Sequence, residues 1–95
     1  MSEIPKGFDA VKEMDAKMAD AELVRLGLMA ELDAISLYEQ LAAHARDPLV
    51  KKVFMDIAYE EKEHVGEFLE LLKRLDPKQV NALEKGAEEV REMEE

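Results

Sequence analysis

The chain has 95 residues, so a single domain with a modest core is the expectation. Its 23 acidic and 13 basic residues give a formal net charge of −10, which argues against a nucleic-acid partner and fits attraction of cations or plain solubility equally. With no cysteine, disulfides, zinc–thiolate sites and Cys nucleophiles are excluded; the opening MSEIPKGFDA lacks the apolar segment of a secretory signal, and no stretch reaches the ~18 apolar residues of a membrane span.

Residues 1–19 carry Phe8, Val11, Met14 and Met18 at helical spacing, which reads either as a short amphipathic helix or as an N-terminal arm. Residues 20–95 form one domain of strong helix formers, chiefly Ala, Leu, Glu, Lys and Met. Asp20, before Ala21-Glu22-Leu23, is a weak N-cap for a first helix over about 21–45. Asp47-Pro48 is a stronger start, because Asp supplies an acceptor for free N–H groups and Pro at N1 has no N–H to leave unpaired. It opens a second helix over about 48–75. Asp76-Pro77-Lys78-Gln79 repeats the device, with Gln79 placed for a capping box, and opens a third helix over about 77–94. The acidic end, Glu88 to Glu95, is expected to fray. The short first loop predicts an antiparallel hairpin, so the fold class is all-α: a two-helix hairpin plus a short C-terminal helix.

Helix two presents a seam at alternating spacings of 4 and 3: Val50, Phe54, Ile57, Glu61, His64, Phe68, Leu71 and Leu75. Helix one presents Val24, Leu28, Glu31, Ile35, Tyr38, Ala42 and Ala45 in the same rhythm. Beside it Gly27, Ala30 and Ala34 form a small-residue stripe, suited to close approach of backbones. An ionised carboxylate in a core is costly unless paired, so Glu31, Glu61 and His64 in apolar seams need a reason. Folding the hairpin brings the three to similar heights. A Glu on one helix with Glu-x-x-His on the next, here Glu61-Lys62-Glu63-His64, is half the ligand set of a di-iron carboxylate bundle. Both halves of the Glu-x-x-His pair share one face.

The other half is missing, as are two of the four helices of a bundle. A twofold axis restores both, so a homodimer with an Fe₂ centre at its interface is predicted, the two hairpins making a four-helix bundle. The bland alternative is a Glu–His hydrogen bond in a bundle core. The seam placement of all three residues favours metal. Tyr38 reads equally as a group that tunes or shields the site and as an ordinary core tyrosine. His44 reads as a cap or surface group near a helix C-terminus rather than a ligand. The stripe Glu60, Glu63, Glu67, Glu70 reads as a solvated face before it reads as a guide for ions. The six methionines read as packing residues.

Over about residues 21–90 the chain resembles the encapsulated ferritins. The resemblance rests on Ala30-Glu31-Leu32-Asp33-Ala34 with Tyr38-Glu39-Gln40, on Asp47-Pro48, and on Glu60-Glu61-Lys62-Glu63-His64 with the Leu-rich run to Asp76. It implies a ferritin-like ferroxidase that oxidises Fe²⁺ to Fe³⁺ with O₂ at a di-iron centre shared by two chains. Glu31, Glu61 and His64 match the iron ligands, and Tyr38 a tyrosine near the centre, making these four the candidate catalytic residues. It further implies a decameric ring of dimers, an encapsulin shell protein as partner and iron store, and a cytoplasmic location inside that nanocompartment. Three features depart from the pattern. Leu37 stands where many members have Trp. Ala30 and Asp33 stand where some have Glu at an outer iron site. Neither a shell-targeting tail nor a shell domain is visible before Glu95.

Two other functions fit the composition. A rubrerythrin-like peroxide reductase usually needs a rubredoxin-type iron, which zero cysteines exclude in cis. A metal-free dimeric scaffold would use Glu31 and Glu61 for hydrogen bonds across the interface alone, and a metal-binding cargo module without turnover lies between this and the ferroxidase. Because metal ligands must be deprotonated, iron binding is expected to weaken below about pH 5–6.

Overall fold

The structure, a computed structural model, describes residues 16–94. They form three helices: α1 over Ala16–His44, α2 over Pro48–Leu75 and α3 over Pro77–Met93. The all-α expectation is borne out, with α1 and α2 packed as a hairpin and α3 shorter. Phe8, Val11 and Met14 lie outside the described residues. The first helix does not start at Asp20, which is an exposed position inside α1. Ala16 to Ala19 are good helix formers, and an exposed Asp in a helix costs only about 0.7 kcal/mol or less. The third helix likewise runs through the acidic stretch expected to fray.

The turn into α2 forms as its sequence dictates. Asp47 holds an extended backbone (φ −72°, ψ 124°), and its Oδ1 accepts from the N–H groups of Leu49 at 2.7 Å and Val50 at 3.2 Å. At the end of α1, His44 is exposed, with Nδ1 2.9 Å from the Gln40 carbonyl oxygen, as a C-terminal cap would be.

The second junction corrects the capping-box expectation. Asp76 makes no side-chain cap bond to α3. Its carboxylate instead accepts from Arg25 Nη2 at 2.9 Å, while Arg25 Nη1 donates to Glu22 at 2.9 Å. A charge-assisted bond to a guanidinium outcompetes a neutral backbone N–H. Pro77 and the Asp76 N–H bond to the Leu72 carbonyl at 2.8 Å still end α2 and begin α3.

Only four apolar side chains are buried among the described residues, Ala21, Ala42, Ala58 and Leu72, three of them small enough to let the two helices approach closely. Most seam residues are only half-buried, and Val50 and Leu71 remain 45% and 47% exposed. Met29, Met55 and Met93 are also exposed, so within one chain they do not act as packing residues. By helical periodicity, Leu23, Leu37 and Leu41 of α1 and Leu49, Val53 and Leu71 of α2 fall on one side of the hairpin, and all six are exposed. A two-helix layer cannot cover both of its own faces. The helix α3 leaves this layer sideways. Gln79 and Val80 are half-buried and every residue from 81 to 94 is exposed. The result is a flat body of 48 × 43 × 19 Å. Among the described residues, no helix is long and apolar enough to cross a membrane.

Candidate metal centre

Glu31 sits in the middle of α1, and Glu61 and His64 sit one turn apart in the middle of α2. The short Asp47-Pro48 turn sets the antiparallel register that makes them meet. One ligand atom from each lies within 4.8 Å of the other two. His64 Nδ1 is 3.5 Å from Glu31 Oε2 and 3.5 Å from Glu61 Oε2. Both distances exceed the roughly 2.7–2.9 Å of a charge-assisted hydrogen bond. The two glutamate side chains are 20% exposed and the imidazole 45%. Glu31 Oε2 is buried and has no hydrogen-bond partner.

This arrangement fits a cation better than it fits itself. Two carboxylates brought together out of bulk water repel, and an orphaned carboxylate oxygen is costly. An ion between the three groups would satisfy both. Two oxygens and one nitrogen suit iron, manganese or zinc. Three donors also leave positions free on such an ion, for another molecule's donors or a substrate.

The trio opens into a cavity of about 330 Å³, bounded by Ala30, Ala34, Leu37 and Tyr38, with the exposed Asp33 at its edge. The cavity faces the same side as the uncovered leucines and valines.

The EncFtn-like family model matches residues 6–87. The chain belongs to this family of encapsulated ferritins. A crystal structure of the encapsulated ferritin domain from Pyrococcus furiosus shares its fold, with a TM-score of 0.80, 51% identity, and coverage of 84% of this chain and 82% of that one. The ferritin-like–encapsulin shell fusion protein of Pyrococcus furiosus is 56% identical over 72 residues. These residues are 76% of this chain and 21% of the fusion protein. The encapsulin nanocompartment cargo protein EncC of Myxococcus xanthus is 38% identical over 78 residues, 79% of this chain and 60% of EncC. The EncFtn-like chain thus spans about a fifth of the fusion protein and three fifths of EncC.

The remaining candidates are spread around the Glu31, Glu61 and His64 trio. Tyr38 is half-buried and lines the cavity, and its ring packs on Phe54 with centroids 6.2 Å apart and a 30° tilt. It is therefore both a packed aromatic and a neighbour of the site. His44, at the end of α1, has no part in the cluster. Glu60, Glu63, Glu67 and Glu70 are all exposed, and Glu70 accepts from Arg74 Nε at 2.9 Å on its own helix. Within one chain they are open to solvent, but Glu60 and Glu67 share the side of the uncovered Val53 and Leu71, and Glu60, Glu63 and Glu67 line a second pocket with His64.

Two ion pairs between residues distant in the sequence were not legible from motifs. Lys62 Nζ lies 3.0 Å from Glu39, beside the trio on the opposite flank, and Arg25 holds Asp76. Both pairs follow one antiparallel register, so aligning the two helices about their turn was the signal that could have found them.

Proposed function

We propose that this chain is one half of a ferroxidase centre, completed by a second copy that brings its own Glu31, Glu61 and His64. The observation that carries the reading is the buried, unpartnered Glu31 Oε2 facing Glu61 and His64 in a cluster with half the donors of a di-iron site. The uncovered apolar face around the cavity supports the second copy, since such a face is stable when another hairpin closes it. The building block is the hairpin of α1 and α2, which takes in Ala16 to Ala19 as well as the residues from 20 onward.

Ferrous iron is the substrate. Glu31 and His64 of each chain would hold one ion apiece, with Glu61 as the ligand shared by the two. The neutral imidazole and ionised carboxylates hold Fe²⁺ with positions left open for O₂. The two Fe²⁺ together would give up two electrons, enough to take one O₂ to hydrogen peroxide with two protons from solvent, and the carboxylates, as hard donors, would stabilise the added charge of the two Fe³⁺. Tyr38 lines the cavity beside the trio and would tune or shield the site. The ferric product leaves for mineralisation. Relatives named as a shell fusion and as nanocompartment cargo support an association with an encapsulin shell. The cytoplasmic location and the decameric ring of dimers rest on the family resemblance alone.

The test is aerobic addition of Fe²⁺ to metal-free protein, following the near-ultraviolet absorbance of ferric product. Glu61→Ala and His64→Ala are expected to fall to the protein-free rate. A wild-type rate no faster than that control would remove the catalytic reading. It would leave a structural bundle, in which His64 lies between two carboxylates for structure alone, or a metal-binding store without turnover.

A further inference from the structure

Gly27 lies one turn before Glu31 on α1, and Phe68 one turn after His64 on α2. Glycine inside a helix is destabilising relative to alanine, so its place here needs a compensating reason. Backbone conformation is not that reason, because no described glycine has positive φ. Space is. A Cβ at Gly27 would lie 3.0 Å from both Cε1 and Cζ of Phe68 and 3.5 Å from Cε2. Carbon pairs pack best at about 3.5–4.0 Å, so the ring fits only because the methyl is missing. At Gly66 and Gly86 a Cβ would meet nothing within 4 Å. The small-residue stripe therefore admits an aromatic ring at Gly27, where close approach of two backbones was expected.

We propose that Gly27 is a positioning residue for the metal centre. By letting the Phe68 ring lie against the backbone of α1, it sets the spacing of α1 and α2 in the layer next to Glu31 and His64. With alanine at this position the ring must retreat or the helices must part by several tenths of an ångström. Metal ligands tolerate roughly 0.2 Å. The inference rests on the metal-centre reading above, and the experiment separates the two.

Metal-free wild type, Gly27→Ala, Gly66→Ala and the double variant Gly27→Ala/Phe68→Leu are titrated with Co²⁺, followed by its visible absorption, with helix content checked by circular dichroism. Gly27→Ala is expected to bind Co²⁺ about tenfold or more weakly, on the scale of supporting groups around a metal. Gly66→Ala makes the same chemical change in open space and retains wild-type affinity. The double variant adds a methyl and removes ring bulk, keeping the layer filled, and recovers most of the loss. Gly27→Ala binding as wild type, or a folded double variant that stays weak, overturns the inference. Where Gly27→Ala does not fold, the double variant decides alone. Wild type that takes up no Co²⁺ removes the metal-centre reading and this inference together, whereas a result confined to the glycine variants removes only the latter.

Discussion

Replacing Glu31 by Gln distinguishes a metal centre from a structural ion pair, because the two predict opposite signs in the metal-free protein. The ligand atoms of Glu31 and Glu61 lie within 4.8 Å, and both side chains are 20% exposed. At an effective dielectric of about 20, two like charges at that distance repel by roughly 3.5 kcal/mol. Nearby His64 and residual solvent reduce this. The orphaned Oε2 adds a cost on the scale of about 1–3 kcal/mol, which an amide of the same shape relieves by donating toward Glu61. The net expectation is a gain of about 1–2 kcal/mol for Glu31→Gln without metal, or roughly 5–10 °C in Tm for a domain this size. With Co²⁺ at about 100 times its Kd, wild type gains about 2.7 kcal/mol by mass action and the variant much less. The two proteins should therefore exchange order. The variant melts higher in chelator and wild type melts higher in metal, at one fixed protein concentration. A variant that melts below wild type in chelator would refute the reasoning, since it would mean that the Glu31–His64 contact holds the fold together by itself.

Three further outcomes follow from other parts of the molecule. Val53→Glu puts a charge on the uncovered side of the hairpin, and sedimentation should show loss of the dimer with loss of iron oxidation and unchanged helix content. Asp47→Ala removes the acceptor for Leu49 and Val50 N–H, and should lower stability by about 1 kcal/mol in thermal melts with Co²⁺ affinity unchanged. Arg25→Met frees Asp76, and hydrogen exchange should quicken across α3 while the α1–α2 amides beyond the junction keep their protection.

Much of the site was legible because its causes are local or periodic. Glu61 and His64 share a face through helical repeat alone, and Glu31 meets them because a two-helix hairpin with a short turn has little freedom of register. What escaped depended on which of several partners a side chain would choose. Asp76 had a backbone N–H within its own turn and an Arg25 guanidinium 51 residues away, and the competition between them is invisible in a motif. Tyr38 could not be assigned to packing or to the site from spacing, and the structure gives it Phe54 on one side and the cavity on the other.

The sequence by itself determined the three helices, the α1–α2 turn and the height at which the polar residues interrupt the seams. Pro, Asp and a seven-residue rhythm act through covalent geometry and neighbouring backbone groups, which need no tertiary context. Tertiary structure alone decided how much of each seam one chain covers, where Asp76 points, and that the gap at Gly27 admits the Phe68 ring. Those depend on the rotation and separation of two packed helices, quantities set by the whole interface at once and by no single stretch of residues.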